Sequence, residues 1–184
     1  MKKIFAFAAA ACCALALSST TYNCHLKVVI NGEVAEQDEV PVVVTEHADG
    51  TYDLTLNNFV LWMGDFPMPV GNIVVTGVEG VDQYGYTTIK FADEIQIAEG
   101  DDPQYGTWAG PLLGDVPIDM TARFTDTAAS ANIDIDMQEM LGQIITVSIF
   151  GVAPAKPALE GDVNGDGEVN ISDVNKVVDI ILNN

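Results

Sequence analysis

Apolar and polar residues alternate along most of the chain between Tyr22 and Phe150. Alternation at period two is typical of β-strands that have one dry face and one wet face. The clearest runs are Tyr22 to Ile30, Tyr52 to Leu56, Val116 to Phe124, Ala131 to Met137 and Ile145 to Ile149. The pattern therefore predicts an all-β domain, and we expect eight to ten strands.

Turn-forming residues separate these runs. They are Asn31-Gly32, Asp49-Gly50, Glu79-Gly80, Tyr84-Gly85, Gly100 to Pro103, and Gly114-Asp115. Because successive strands are joined without an intervening helical pattern, we expect an antiparallel meander. Such a sheet must close or pair with a second sheet to hide its edges, so an up-and-down β-barrel is the simplest arrangement.

The first 19 residues differ from the rest, because Lys2 and Lys3 precede an apolar stretch from Ile4 to Leu17. This pattern predicts a secretory signal peptide at residues 1–19, cleaved near Ser18, and export to the periplasm, the cell surface or the medium. A stretch of about 14 apolar residues is shorter than the ~20 that span a bilayer, so no transmembrane segment is expected. Alternatively, Cys12 could carry a lipid anchor, since three alanines precede it.

The chain is strongly acidic, with 27 Asp and Glu against 7 Lys and Arg and a formal net charge of -20. Such a surface repels phosphate backbones and anionic lipid headgroups, so nucleic-acid and membrane-surface binding are not expected. Cleavage near Ser18 would leave Cys24 as the only cysteine, which excludes an internal disulfide.

Few side chains suggest catalysis. Cys24 and His25 are adjacent, but neighbouring strand residues point to opposite faces, so a catalytic dyad is not expected. His47 is the only other histidine, and we expect both histidines at the surface. Asp134 and Asp136 share a wet face, where carboxylates are usually solvated. The sequence therefore predicts a protein without enzymatic activity.

The alternation stops after Phe150, and residues 151–160 contain two prolines, which predicts a linker. Residues 162–173 then have the spacing of a twelve-residue EF-hand calcium loop. Oxygen ligands at alternate positions suit the six to eight oxygens that Ca²⁺ prefers, and Gly167 permits the sharp turn at position six. The predicted Ca²⁺ ligands are Asp162, Asn164, Asp166, Glu168 through its carbonyl, Asn170 through a water, and Asp173.

A helix is predicted to follow this loop, beginning at Ser172 as the N-cap. Its apolar residues recur at helical spacing and form one stripe, which could pack within the molecule or bind a protein partner. The stripe consists of Val174, Val177, Val178 and Ile181.

The last 24 residues, 161–184, resemble a type I dockerin repeat, on the sequences from Gly161 to Gly167 and from Asn170 to Asp173. This resemblance implies a calcium-dependent docking tail with a cohesin-like protein partner. Dockerins normally carry two such repeats, whereas this chain has one and lacks the second helix of the usual pair.

Residues 20–150 resemble the calycin-like (lipocalin-like) β-barrel domain of exported gut-bacterial proteins. The resemblance rests on the stretches Tyr22 to Gly32, Gly50 to Phe59, Val70 to Ile73 and Val116 to Ile133. It implies a barrel that holds a small apolar ligand or binds a protein partner. Five bulky residues outside the cleanest strands could rim a pocket or fill the barrel as core: Trp62, Met63, Phe66, Met68 and Trp108.

Together these features predict an exported, non-catalytic binding protein with a calcium-dependent docking tail. One alternative is a dockerin-bearing component of a polysaccharide-degrading system, either an O-glycosyl hydrolase or its accessory. The other is a scaffold whose C-terminal helix alone mediates protein–protein interaction.

Overall fold

The structure, a computed structural model, describes residues 16–154, 163, 169 and 171–182. The chain divides into two compact units, residues 1–153 and residues 154–184. The division falls within the segment that the sequence predicts to be a linker. In the described ranges, no helix is both long enough and apolar enough to cross a membrane.

The first unit is a closed barrel of eight antiparallel strands in sequence order. The strands are β1 (Ala16–Ile30), β2 (Glu33–His47), β3 (Thr51–Met63), β4 (Phe66–Gln83), β5 (Tyr86–Gln96), β6 (Asp115–Phe124), β7 (Ala128–Met137) and β8 (Gln143–Val152). Each strand pairs with the next, and β8 pairs with β1 to close the barrel. The predicted all-β, up-and-down architecture is therefore confirmed, with the lower of the predicted strand numbers.

The alternating pattern defines the inside of this barrel. In β1 the side chains of Tyr22, Cys24, Leu26 and Val28 are buried, whereas Lys27 between them is exposed. Strand β6 repeats the arrangement, with five buried apolar residues from Val116 to Phe124. Burial of alternate residues from every strand builds one central core, which supplies the main stabilisation of a disulfide-free barrel.

The start of β1 overlaps the segment predicted as a signal peptide. The strand begins at Ala16, and the Ser18 hydroxyl donates a hydrogen bond to Glu46 Oε2 at 3.3 Å. The rest of the predicted signal, residues 1–15 with Cys12, lies outside the described residues.

The two ends of the barrel differ. The connections β1–β2, β3–β4, β5–β6 and β7–β8 lie at one end, here named the open end, and the other three connections lie at the closed end. Aromatic residues fill the closed end: the Tyr22 hydroxyl donates to the Thr125 carbonyl at 2.6 Å, and the Tyr52 ring meets Phe124 edge-on at 5.1 Å. Aromatic side chains therefore pack across the interior at this end.

The connection between β5 and β6, residues 97–114, is the longest in the barrel and includes one turn of 3-10 helix at Gly110–Leu112. Two asparagines hold it against the barrel wall. The Asn72 side-chain amide donates to the Glu99 carbonyl at 2.8 Å, and the Asp101 N–H donates to Asn58 Oδ1 at 2.8 Å. The connection is thus anchored at the open end.

One predicted turn is wrong. Glu79-Gly80 lies inside β4, where Gly80 pairs with Ile89 of β5. A Cβ atom at Gly80 would overlap the ring of Tyr52. The glycine therefore permits a close approach between a strand and an aromatic side chain, which is a recurrent reason for glycine within a strand.

A short helix, α1 (Gln138–Leu141), connects β7 to β8. In the second unit the described residues form one helix, α2 (Ile171–Leu182). It begins one residue earlier than predicted, so Ser172 lies in its first turn together with Asp173.

Candidate functional site

A cavity of about 220 Å³ occupies the half of the barrel next to the open end. Seven strands contribute to its wall, all except β2, together with α1 and the β5–β6 connection. The lining residues are Leu26, Val28, Ile30, Leu54, Leu56, Phe59, Leu61, Met68, Val70, Ile73, Val75, Ile95, Ile97, Ala109, Leu113, Val116, Ile118, Met120, Ile133, Ile135, Met137, Leu141, Gln143, Ile145, Val147 and Ile149. Of these lining residues, Gln143 alone has a polar side chain.

The cavity exists because inward-facing side chains do not fill the barrel at this end. Ile133 and Ile135 of β7 face inward, as do Ile145 and Val147 of β8, yet all four are only partly buried. Nearer the closed end, Ala131 and Ile149 on the same two strands are fully buried. These four side chains are therefore packed less completely than Ala131 and Ile149, although Met137 at the open end of β7 is buried.

The size and lining of the cavity restrict what it can hold. A dry apolar cavity of about 150 Å³ is large enough for benzene, whereas drug-sized ligands occupy pockets of about 300 to 1,000 Å³. The present cavity lies between these limits. Its apolar wall offers few partners for water, so it suits one small apolar molecule that is bound by burial of its surface.

Of the five bulky residues predicted to rim a pocket, Met68 alone lines this cavity. Trp62, Met63 and Phe66 lie at the tip of the β3–β4 hairpin, where Phe66 is 79% exposed. Trp108 is buried in the β5–β6 connection with its ring edge against Tyr105, at 5.5 Å between centroids. A binding role for these four residues stays a prediction.

Many of the lining residues were predicted only as the dry faces of strands, and Gln143 was not predicted as a site residue. The signal was present, because Gln143 continues the inward-facing series of Ile145, Val147 and Ile149 at the same spacing. One polar residue in an otherwise apolar series is a weak signal until the series is known to face a cavity.

The ionisable residues of the barrel lie elsewhere. Cys24 is buried, and burial raises the pKa of its thiol to about 11. His25 lies on the opposite face of the strand with its Nδ1 2.7 Å from Asp38 Oδ1, so its ring points away from Cys24. His47 differs from the surface position expected for it, because its side chain is only 14% exposed and its Nε2 lies 2.9 Å from Asp53 Oδ2.

In the second unit, Asp173 is the one predicted calcium ligand that the structure describes. The other five, Asp162, Asn164, Asp166, Glu168 and Asn170, lie outside the described residues. Asp173 is 3% exposed, and its Oδ1 accepts a hydrogen bond from the Val163 N–H at 2.8 Å. Asp173, at position twelve of the predicted loop, thus contacts Val163 at position two. A buried carboxylate at this position fits the oxygen ligands that Ca²⁺ requires.

The described residues as a set contain no group of three or more His, Cys, Asp or Glu side chains placed to hold a metal ion.

The predicted apolar stripe on α2 is exposed. Its four residues, Val174, Val177, Val178 and Ile181, are between 38% and 69% exposed. Helix α2 therefore presents uncovered apolar side chains.

Residues 19–151 match a family model described as a calycin-like beta-barrel domain. The barrel also resembles a crystal structure from Bacteroides fragilis NCTC 9343, provisionally described as an outer membrane protein, with a TM-score of 0.52 and 18% identity. That match covers 73% of this chain and 50% of the other, so this chain spans half the length of that protein. No curated protein is significantly similar to the chain. The dockerin-like character of residues 161–184 stays a prediction, because the family match ends before them.

Proposed function

Because this chain belongs to the calycin-like β-barrel domain family, we propose that it is a non-catalytic binding protein whose barrel holds one small apolar molecule. The observation that carries the proposal is the cavity of about 220 Å³ with Gln143 as its one polar lining residue. None of its lining side chains can serve as a nucleophile, a general base or a general acid near neutral pH. The cavity is therefore suited to binding rather than to turnover.

Burial of apolar surface supplies the affinity. Each square ångström of apolar surface removed from water contributes roughly 25 cal/mol. A ligand that buries about 200 Å² would gain about 5 kcal/mol before the cost of association is subtracted. The aromatic residues at the closed end leave the open end as the side from which a ligand reaches the cavity.

A pair of neighbouring substitutions tests the proposal. Val147 lines the cavity, whereas Thr146 on the same strand is exposed on the outside of the barrel. We expect Val147→Phe to occupy part of the cavity and weaken binding of the fluorescent apolar probe N-phenyl-1-naphthylamine at least tenfold. Thr146→Phe adds the same ring to the outer face and should leave the affinity unchanged.

Fluorescence titration of delipidated protein measures both affinities. If the probe binds the wild type and the Val147→Phe variant equally well, the ligand is not in the cavity. Circular dichroism of each variant establishes that the barrel is still folded.

We also propose that the protein is exported. The pattern of residues 1–19 supports this proposal, as does the description of the Bacteroides fragilis relative as an outer membrane protein. The mass of the mature chain from native cells distinguishes cleavage near Ser18 from lipid attachment at Cys12.

For residues 161–184 we propose a calcium-dependent docking role. Two observations favour it: the buried Asp173 carboxylate draws the two ends of the loop together, and the apolar side chains of α2 are exposed. A helix of 12 residues is marginal alone in water, so this unit needs both the cation and a partner surface. A cohesin-like module is the partner that the dockerin resemblance implies, and a polysaccharide-degrading system would be one setting for it.

Calorimetric titration with CaCl₂ tests the metal assignment. We expect Asp162→Ala to weaken calcium binding at least tenfold while the β-sheet signal in circular dichroism is unchanged. Asp126→Ala removes the same charge from an exposed turn of the barrel and is the matched control. An unchanged isotherm for Asp162→Ala would contradict the calcium site.

The docking role has a separate test. With calcium present, Val177→Asp should keep the affinity for the metal and lose binding to a purified type I cohesin module. If the wild-type chain does not bind the cohesin module, the dockerin-like partner is excluded while the calcium site still stands.

A further inference from the structure

The mouth of the cavity has one polar side chain, Gln143, in an otherwise apolar wall. We propose that Gln143 binds the head group of the ligand, and that the cavity selects molecules with an uncharged polar head, such as an alcohol or an amide, over carboxylates. This inference rests on the proposed function, because it specifies the ligand of the same cavity.

The position of Gln143 suits a head-group contact. It is the first residue of β8, at the open end, and it shares the inward-facing side of the strand with Ile145, Val147 and Ile149. Its side chain makes no hydrogen bond to any described residue. A primary amide offers two donors and one acceptor, so it can pair with a hydroxyl or with another amide. A ligand tail would then extend from Gln143 towards the closed end.

The backbone on both sides of Gln143 is fixed by Asn31 of the β1–β2 turn. The Asn31 N–H donates to the Ile144 carbonyl at 3.2 Å, and the Ile144 N–H donates to Asn31 Oδ1 at 3.1 Å. The Asn31 side-chain amide also donates to the Gly142 carbonyl at 3.4 Å. These contacts hold the backbone that carries Gln143 in place before a ligand arrives, which reduces the backbone entropy lost on binding.

Charge argues against an anionic ligand. No lining residue is basic, and two of the basic residues that the structure describes on the barrel make contacts elsewhere. Lys27 Nζ lies 3.5 Å from Glu36 Oε1, and the Arg123 guanidinium lies over the ring of Tyr86 at 5.2 Å. A carboxylate in this cavity would lose its hydration without gaining a cation, within a chain whose net charge is -20.

An uncharged head group avoids this penalty. An alcohol or an amide is far less costly to dehydrate than a carboxylate, and a hydrogen bond to Gln143 replaces the one lost to water. The same bond also satisfies the polar side chain of Gln143, which otherwise depends on water at the mouth.

Three ligands with the same tail test the selection. Calorimetric titration of delipidated protein near neutral pH compares 1-octanol, octanamide and ionised octanoate. We expect the alcohol and the amide to bind, and octanoate to bind at least tenfold more weakly, which is about 1.4 kcal/mol. Equal affinity for octanoate and octanol would overturn the inference.

Substitutions at Gln143 test the contact itself. Gln143→Leu should weaken octanamide binding about tenfold. Gln143→Lys supplies a cation and should strengthen octanoate binding about tenfold. Gln83→Leu, at the exposed last residue of β4 next to the closed end, is the matched control and should change neither the octanamide nor the octanoate affinity.

If Gln143→Leu binds octanamide as tightly as the wild type does, Gln143 is not the head-group partner and the inference fails. The gain with Gln143→Lys is a second readout that loss of folding cannot imitate. If all three ligands bind equally well, the proposed binding function of the cavity is supported, but the inference that it selects uncharged head groups is wrong. If neither these ligands nor the probe binds, both the inference and the proposed function are overturned.

Discussion

Burial determines the chemistry of Cys24, the free cysteine in the described part of the chain. Its Sγ lies 3.5 Å from the Tyr22 carbonyl oxygen inside the barrel. Burial raises the pKa of the thiol from 9.0 to about 11. Because the thiolate is the nucleophilic form, a thiol with this pKa is inert near neutral pH. Cys24 is therefore a packing residue, as its place in the apolar series of β1 predicts.

Cys24 should react with Ellman's reagent below pH 9 only after the barrel is unfolded. The folded thiol keeps its proton to higher pH than the unfolded thiol, so the stability that it contributes is lost as pH rises from about 9 to about 11. Burial also raises the pKa of Tyr22 and of Tyr52, so the stability that these two hydroxyls contribute is likewise lost as pH rises. Urea unfolding below pH 9 and above pH 10 measures the fall in the free energy of unfolding. This fall should be smaller in the Cys24→Ala variant. A rapid reaction of the native thiol would contradict this account.

At the level of single residues, burial could be predicted from the sequence, whereas a role in the cavity could not. The burial of Cys24 and the exposure of its neighbour His25 follow from alternation, which is set by the local geometry of a strand. The importance of Gln143 does not follow, because it depends on a cavity formed by seven strands. The exposure of Trp62 and Phe66 does not follow from the sequence either, since it depends on how far the β3–β4 hairpin extends.

At the scale of elements, β2 and β4 were the hardest strands to predict. Strand β2 contains Pro41 followed by three consecutive valines, and the first half of β4 contains Pro67, Pro69 and Gly71. These residues interrupt the alternation of apolar and polar positions, so the local sequence predicts a strand only weakly. Both segments are strands because β1, β3 and β5 provide partners for their backbone hydrogen bonds. Tertiary pairing here outweighs local preference.

The contact between β3 and β4 at Gly80 leads to a prediction for these strands. Gly80→Ala would place a Cβ against the Tyr52 ring and Thr87, so we expect the free energy of unfolding to fall by about 1 to 3 kcal/mol. Gly106→Ala is the control, because nothing lies near a Cβ at that position, and it should change stability by less than about 0.5 kcal/mol. Urea unfolding measures both. Equal stability of the two variants would show that the Tyr52 ring moves away at little cost.

At the scale of the whole molecule, the class of fold was the most predictable property. Period-two alternation, short turns and the need to hide strand edges together indicate a closed antiparallel barrel, and the structure has one. The state of the interior was not predictable. Whether eight inward faces fill a barrel or leave a cavity depends on differences of a few methyl groups, and these are decided by the packing of distant residues.

Closure of the barrel also sets the order in which the chain can fold. Strand β8 completes the sheet by pairing with β1, and the contact of Asn31 with Ile144 joins residues 113 positions apart. The chain between two such distant residues must be brought together before their contact can stabilise the fold. Proteins rich in contacts between residues far apart in sequence therefore fold in milliseconds to seconds rather than in microseconds. Under the proposed export, the barrel cannot close until β8 has crossed the membrane, so the edge of β1 that pairs with β8 stays without its partner strand until then.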